Sequence, residues 1–163
     1  MARLVLTDAS PLIGLARVEG LHWLHTLFGI VSMPVEVRDE VLGHRRFPEE
    51  EIISAAIEAT WLNVCAPVPG ILNLPELDEG EAACIQIALQ HSGPVLLLMD
   101  ERAGRAVATE HGLPVTGTAA IIGMAKSRGL ITSAREVFAH LHATDFRISA
   151  QVIATVLDRV GEK

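Results

Sequence analysis

Four acidic residues stand where solubility alone does not explain a carboxylate: Asp8, Glu40, Glu81 and Asp100. Asp8 follows the short apolar run Leu4 to Leu6, and Asp100 closes the run "VLLLMDERAGR". In that run Leu96, Leu97, Leu98 and Met99 show no alternation, as expected of a strand covered on both faces. At about 100° per residue, Glu40 lies near the edge of a stripe formed by Met33 and Val37. Glu81 shares a helical face with Cys84, Ile85 and Ala88, where a carboxylate is costly unless paired, hydrogen-bonded or bound to a cation. Carboxylates that share a site repel, so they favour protons or a divalent metal. Oxygen-only ligands select hard cations such as Mg²⁺ or Mn²⁺ over zinc.

Each acid also has a local explanation. Asp is a preferred helix N-cap, which covers Asp8 and Asp100. Asp78 and Glu81 have the spacing of an Asp-capped capping box, and Glu79 beside them is expected to face solvent. Glu40 is more often explained as a snorkelling or paired surface residue, with Glu36 and Asp39 pointing further away. Glu101 is expected at the surface or in a salt bridge. Thr7 and Ser10 flank Asp8 and could orient it, although turn hydrogen bonds explain them as well. Thr118 is either a pocket hydroxyl or the N-cap of its helix. Arg102 and Arg105 could meet a substrate phosphate, but arginines so placed more often pair with neighbouring acids, here Glu101 or Asp100.

The elements that must position these groups alternate. A strand at Leu4 to Leu6 precedes a helix opened by Ser10-Pro11 and running towards Val18. A helix over Leu21 to Phe28 precedes a strand at Ile30-Val31, and Pro34 fits the first turn of a helix reaching Leu42, with Gly43 as stop. "HRRFPEEE", His44 to Glu51, reads as an exposed connection that overlaps a helix from Glu50 to Thr60. Trp61 to Val64 is a strand candidate before the loop "APVPG". Then follow a helix from Asp78 to Gln90, the strand ending at Asp100, a helix from Glu101 to His111, and a strand around Pro114-Val115. Three helices close the chain: Thr118 to Arg128, one capped by Ser133 with Glu136 through His142, and one capped by Ser149 through Val160. Strands alternating with helices imply an α/β fold, a central mainly parallel sheet covered on both sides. In such sheets ligands gather at the carboxyl ends of the strands.

Composition narrows the function classes. With 163 residues, half of them apolar, the chain is expected to form a single domain. A net charge of -7 argues against a broad basic face for nucleic acid, so any such contact must be local, through arginines such as Arg45, Arg46, Arg102 and Arg105. Aromatic residues make up 4% and tyrosine is absent, which removes the stacking platform of sequence-reading RNA modules. No signal peptide or membrane span is recognisable, and the expectation is a cytoplasmic protein. Cys65 and Cys84 form no CxxC or Cys/His cluster, and the pairs His22/His25 and His140/His142 lack metal-ligand spacing. An aspartate-based phosphoryl-transfer enzyme fits poorly, since Ser10 stands where a DxD pair needs its second acid. Apolar faces on the first helices suit a homodimer or simply the core.

The order of these blocks resembles a PIN-domain protein, and more narrowly the DUF3368 family of small PIN-like proteins. "LVLTDASPLIGLARV" is similar to the family's opening strand and helix, "MPVEVRDEV" to its second acidic motif and "LDEGEAACIQIA" to its third. "LLLMDERAGRAVATEHGLPVTGTAAII" resembles its fourth motif with the following strand and Thr, and "FRISAQVIATVLDRVGE" its ending. The resemblance implies a PIN-like three-layer α/β/α sandwich over residues 1–163. It also implies that Asp8, Glu40, Glu81 and Asp100 hold one or two Mg²⁺ or Mn²⁺ ions. The activity implied is hydrolysis of RNA phosphodiesters, usually by the toxin of a toxin–antitoxin pair whose cognate antitoxin protein inserts near the acidic pocket. A catalytically silent PIN-like domain that binds a protein or RNA partner is the alternative.

Overall fold

The computed structural model describes residues 3–43 and 48–162; Arg45 and Arg46 lie outside the described residues. Five strands form one parallel sheet: β1 (Leu4–Thr7), β2 (Val31–Pro34), β3 (Leu62–Cys65), β4 (Val95–Leu98) and β5 (Val115–Thr116), in the order β3-β2-β1-β4-β5. Between them run α1 (Ala9–Arg17), α2 (His22–Phe28), α3 (Val35–Leu42), α4 (Pro48–Glu58), α5 (Glu79–Gln90) and α6 (Arg102–Glu110). After β5 come α7 (Thr118–Ser127), α8 (Ala134–His142) and α9 (Ala150–Arg159).

The connections through α1 to α4 carry the chain one way across the sheet, and those through α5 and α6 carry it back. Right-handed crossovers therefore place the two sets on opposite faces, giving an α/β/α sandwich. The direction reverses between β1 and β4, and an open parallel sheet has its ligand crevice at that place. β4 is central and pairs with β1 and β5, so its apolar run is covered as its lack of alternation requires; Leu97, Leu98 and Met99 are fully buried. The apolar faces of the first helices belong to the core: Leu12, Leu15, Ala16, Trp23 and Leu24 are buried.

Several boundaries differ from the sequence reading. Pro34 ends β2 and is the N-cap of α3, with extended backbone (ψ 159°), because its fixed φ serves a strand end as well as a first helical turn. α4 starts at Pro48, two residues before the expected start at Glu50: Pro48 opens the helix and three glutamates fill its first turn, where acids suit the helix dipole. The N-cap of α7 is Gly117, so Thr118 is already inside the helix.

The last helices are tied down by one carboxylate. Ser133 caps α8 by accepting from the Glu136 N–H at 3.1 Å. Glu162, beyond α9, accepts from the backbone N–H groups of Ala134 (2.6 Å) and Arg135 (3.1 Å) and from the Ser133 hydroxyl (3.2 Å). Those amides are helix-end donors with no partner inside α8; desolvation, the largest single effect, works to raise the Glu162 carboxyl, but these bonds and Lys126 together hold it below its usual range. Glu162→Ala should therefore cost roughly 1 kcal/mol, as loss of a cap does, measured by denaturant unfolding. No change in the unfolding midpoint would show that the α8–α9 contact stands without it.

Candidate metal centre

At the carboxyl end of β1 the backbone of Asp8 continues the sheet, its N–H donating to the Leu98 carbonyl at 2.9 Å. Asp8 stands at the N-cap position of α1 with extended backbone, yet its side chain makes no cap bond. The capping explanation thus fails for this residue. Asp8 is 3% exposed and its Oδ1 is buried without a hydrogen-bond partner.

Glu81 enters from α5. The capping box is complete: Asp78 Oδ1 accepts from the Glu81 N–H at 2.8 Å, and Glu81 Oε1 accepts from the Asp78 N–H at 3.2 Å. This local motif uses one oxygen of Glu81 and leaves the other, Oε2, buried without a partner. The box also places Asp78 beside Glu81, and ligand oxygens of Asp8, Asp78 and Glu81 lie within 4.8 Å of one another. Two glycines make the approach possible. A Cβ at Gly80 would sit 3.0 Å from Asp8 Oδ1, and one at Gly104 of α6 would sit 2.7 Å from Glu81 Oε2 and 2.5 Å from Met99 Sδ.

Around this trio is a cavity of about 490 Å³ lined also by Glu40, Glu49, Glu50 and Glu101. Arg17 is its one lining cation among the described residues, and its Nε donates to Glu49 Oε1 at 2.7 Å while Nη1 bonds Asp145. Burial, opposed by the neighbouring Ala9 N–H and reinforced by Asp78, Glu81 and Glu40, pushes the Asp8 carboxyl up to about 7. Burial and the charges of Asp78 and Glu101 likewise raise Glu81, against the lowering effect of the Asp78 N–H.

Asp100 is placed differently. It is no member of the trio; its Oδ1 accepts from the Thr118 N–H and its Oδ2 from the Thr118 hydroxyl, both at 2.7 Å. Asp100 thereby caps α7 from outside the helix. Thr7 pairs with Leu98, so Asp8 falls opposite Met99 and Asp100 lies one residue further on, where it lines the neighbouring groove and not the Asp8 cavity. Thr7 donates its hydroxyl to the Asp8 carbonyl at 2.9 Å, and Ser10 is half-buried in the Asp8 cavity. Neither Arg102 nor Arg105 forms an ion pair among the described residues; Arg105 Nη1 donates to the Met99 carbonyl at 3.1 Å, because Asp100 is engaged by Thr118.

Asp78, Glu49, Glu50 and Glu101 are additions to the acids expected from sequence. Glu101 is exposed, as expected, but it lines the cavity. The signal for Asp78 was its capping box, which joins two side chains by construction. Glu49 and Glu50 sat inside what read as a solvated charge run. His25 stacks on Trp61, and His142 Nε2 accepts from the Ile148 N–H, so neither histidine pair gathers at the acids.

The donor set fits a hard divalent cation: three carboxylates converge, two oxygens lack donors, and all available ligands are oxygen. A pH dependence follows. An unfolded Asp ionises near 3.8 and the folded Asp8 near 7, so Asp8 weakens the metal-free fold as pH rises between those values, and by a constant amount above them. The upper bound is roughly 4 kcal/mol. Asp8→Asn should accordingly gain stability relative to the native chain over that range; a difference independent of pH would contradict it. Metal binding near pH 6 should release about one proton and near pH 9 almost none, measured by calorimetry in buffers of different ionisation heat. Gly104→Ala should weaken the same metal binding at least tenfold, although Gly→Ala in a helix otherwise stabilises by about 1 kcal/mol. Undiminished affinity would show that Glu81 can move aside.

No curated protein matches the chain. The parallel sheet with acids at its reversal point agrees in order and extent with a match between residues 4–162 and DUF3368, a PIN domain, a class whose members are generally nucleases, and the chain belongs to that family.

Proposed function

We propose that this chain is a Mg²⁺- or Mn²⁺-dependent endoribonuclease, the toxin of a toxin–antitoxin pair. The observation that carries the reading is the pair of buried, unpartnered oxygens, Asp8 Oδ1 and Glu81 Oε2, within one acidic group. Asp8, Asp78 and Glu81 would hold the cation, with Glu40 and Glu101 at the wall of the same cavity. A divalent ion there supplies a water of lowered pKa and offsets charge developing on the phosphate. The chain's own contribution is rigidity: Gly80 and Gly104 admit the carboxylates, and the capping box fixes Glu81. Ser10 lines the cavity and offers a hydroxyl to substrate or solvent. Asp100, held by Thr118 at the end of the adjacent strand, would complete the acidic edge from the neighbouring groove.

Purified protein should cleave single-stranded RNA with Mg²⁺ or Mn²⁺ and stop with EDTA. Asp8→Asn should lower cleavage at least a hundredfold with the fold retained by circular dichroism. Cleavage that persists in both EDTA and Asp8→Asn would place the activity elsewhere. The toxin role follows the family resemblance and is tested by an adjacent coding sequence for a small protein that binds this chain and blocks cleavage.

A second reading, a catalytically silent domain that binds a protein or RNA partner, draws on Asp100, whose two oxygens are both engaged by Thr118. Metal binding without cleavage of any RNA offered would favour it.

A further inference from the structure

Beside the acidic cavity lies a second groove of about 710 Å³, bordered by the start of α7, residues 145–149 and α9. Ser10 and Glu101 line both hollows, so the two are continuous at that border. The groove is lined by three guanidinium groups, from Arg105, Arg147 and Arg159. Its carboxylates are Asp100, Glu101 and Asp145. Asp145 is paired with Arg17, whereas Asp100 is bonded only by the neutral donors of Thr118 and Glu101 stands at the shared border.

The three arginines have no carboxylate partner among the described residues. Arg147 Nη1 donates to the carbonyls of His142, Thr144 and Phe146, and Arg105 Nη1 to that of Met99. Arg159 is exposed and makes no ion pair. With Arg17 on Asp145, guanidinium groups outnumber carboxylates by one around this groove, four to three, whereas the adjoining cavity sets seven carboxylates against Arg17; in a chain of net charge -7 that is a local contrast of charge. Phosphate neutralisation requires such a patch, and a polyanion needs one to approach the carboxylates at all.

We infer that this groove holds the phosphates of single-stranded RNA that flank the bond placed at the acidic cavity; the substrate class rests on the nuclease reading. Backbone contacts dominate it. Phe146 packs on α1, where a Cβ at Gly14 would meet its ring at 2.8 Å, so the ring belongs to the fold. Without a free aromatic platform the groove reads charge and not base identity.

The test uses the native chain and a fluorescent 12-residue oligouridine in EDTA, with binding followed by anisotropy. Affinity should fall with salt at a slope of about -0.7 per phosphate held. Arg159→Glu and Arg147→Glu should each weaken binding roughly tenfold and flatten that slope, as expected for loss of a charge-assisted contact. Arg159→Gln, which removes the charge without reversing it, should weaken binding less, with its melting midpoint unchanged. Arg128→Glu, outside the groove, should change affinity less than twofold. Equal affinity for the native chain, Arg159→Glu and Arg147→Glu overturns the proposal, as does an equal loss with Arg128→Glu. Tighter binding of poly-glutamate than of RNA overturns it in favour of a protein occupant. Cleavage with arginine-independent binding would sink the groove and leave the nuclease; arginine-dependent binding without cleavage in Mg²⁺ or Mn²⁺ would do the reverse.

Discussion

Burying a carboxylate oxygen away from any donor is costly, and Asp8 Oδ1 and Glu81 Oε2 are both in that condition at one edge of the sheet. Their neighbours make the cost larger, since Asp78 and four further carboxylates share or line the same space against one arginine. Only a proton or a cation relieves such a group. The upward shift of Asp8 is the proton solution, available near neutral pH. A divalent ion is the alternative that leaves the carboxylates charged and useful.

The surrounding structure accommodates this constraint without removing it. The capping box could have satisfied Glu81 entirely, yet it uses one oxygen and orients the other inwards. Gly80 and Gly104 keep space open where an alanine would press on Asp8 or Glu81. The sheet's reversal between β1 and β4 opens the crevice, and two adjoining hollows share it, Asp8 lining one and Asp100 the other. One gathers acids; the other exposes arginines. On the proposed reading, that separation would let a chain of net negative charge offer arginines to a polyanion beside the acidic pocket.

Much of the fold was legible because hydrophobic periodicity and turn residues mark it. The run from Leu96 to Met99 announced a covered strand, and the alternation of strands and helices announced a parallel sheet. Asp8 and Glu81 were legible for a related reason, since polar groups on apolar patterns stand out. Register was not legible. Nothing local in "VLLLMDERAGR" tells whether Asp100 shares a face with Asp8, because that depends on how β4 aligns with β1. Asp78 was visible as a cap, but one motif serving both helix and site could not be separated by spacing. Glu49 and Glu50 looked solvated in a charged run, and only the packing of α4 beside α1 brings them to the cavity. The arginine groove was hidden for the same reason: Arg105, Arg147 and Arg159 are far apart in the chain and meet through tertiary packing.

The central claim is that Asp8 Oδ1 and Glu81 Oε2, two of the three buried oxygens without a partner among the described residues, belong to a divalent cation. Anomalous diffraction from crystals of the native chain soaked in Mn²⁺ at neutral pH tests it most directly. The expected result is one strong peak within ligand distance, about 2.1–2.3 Å, of both Asp8 and Glu81. A peak on surface carboxylates alone, or none with the cavity open and the metal in excess, would contradict it.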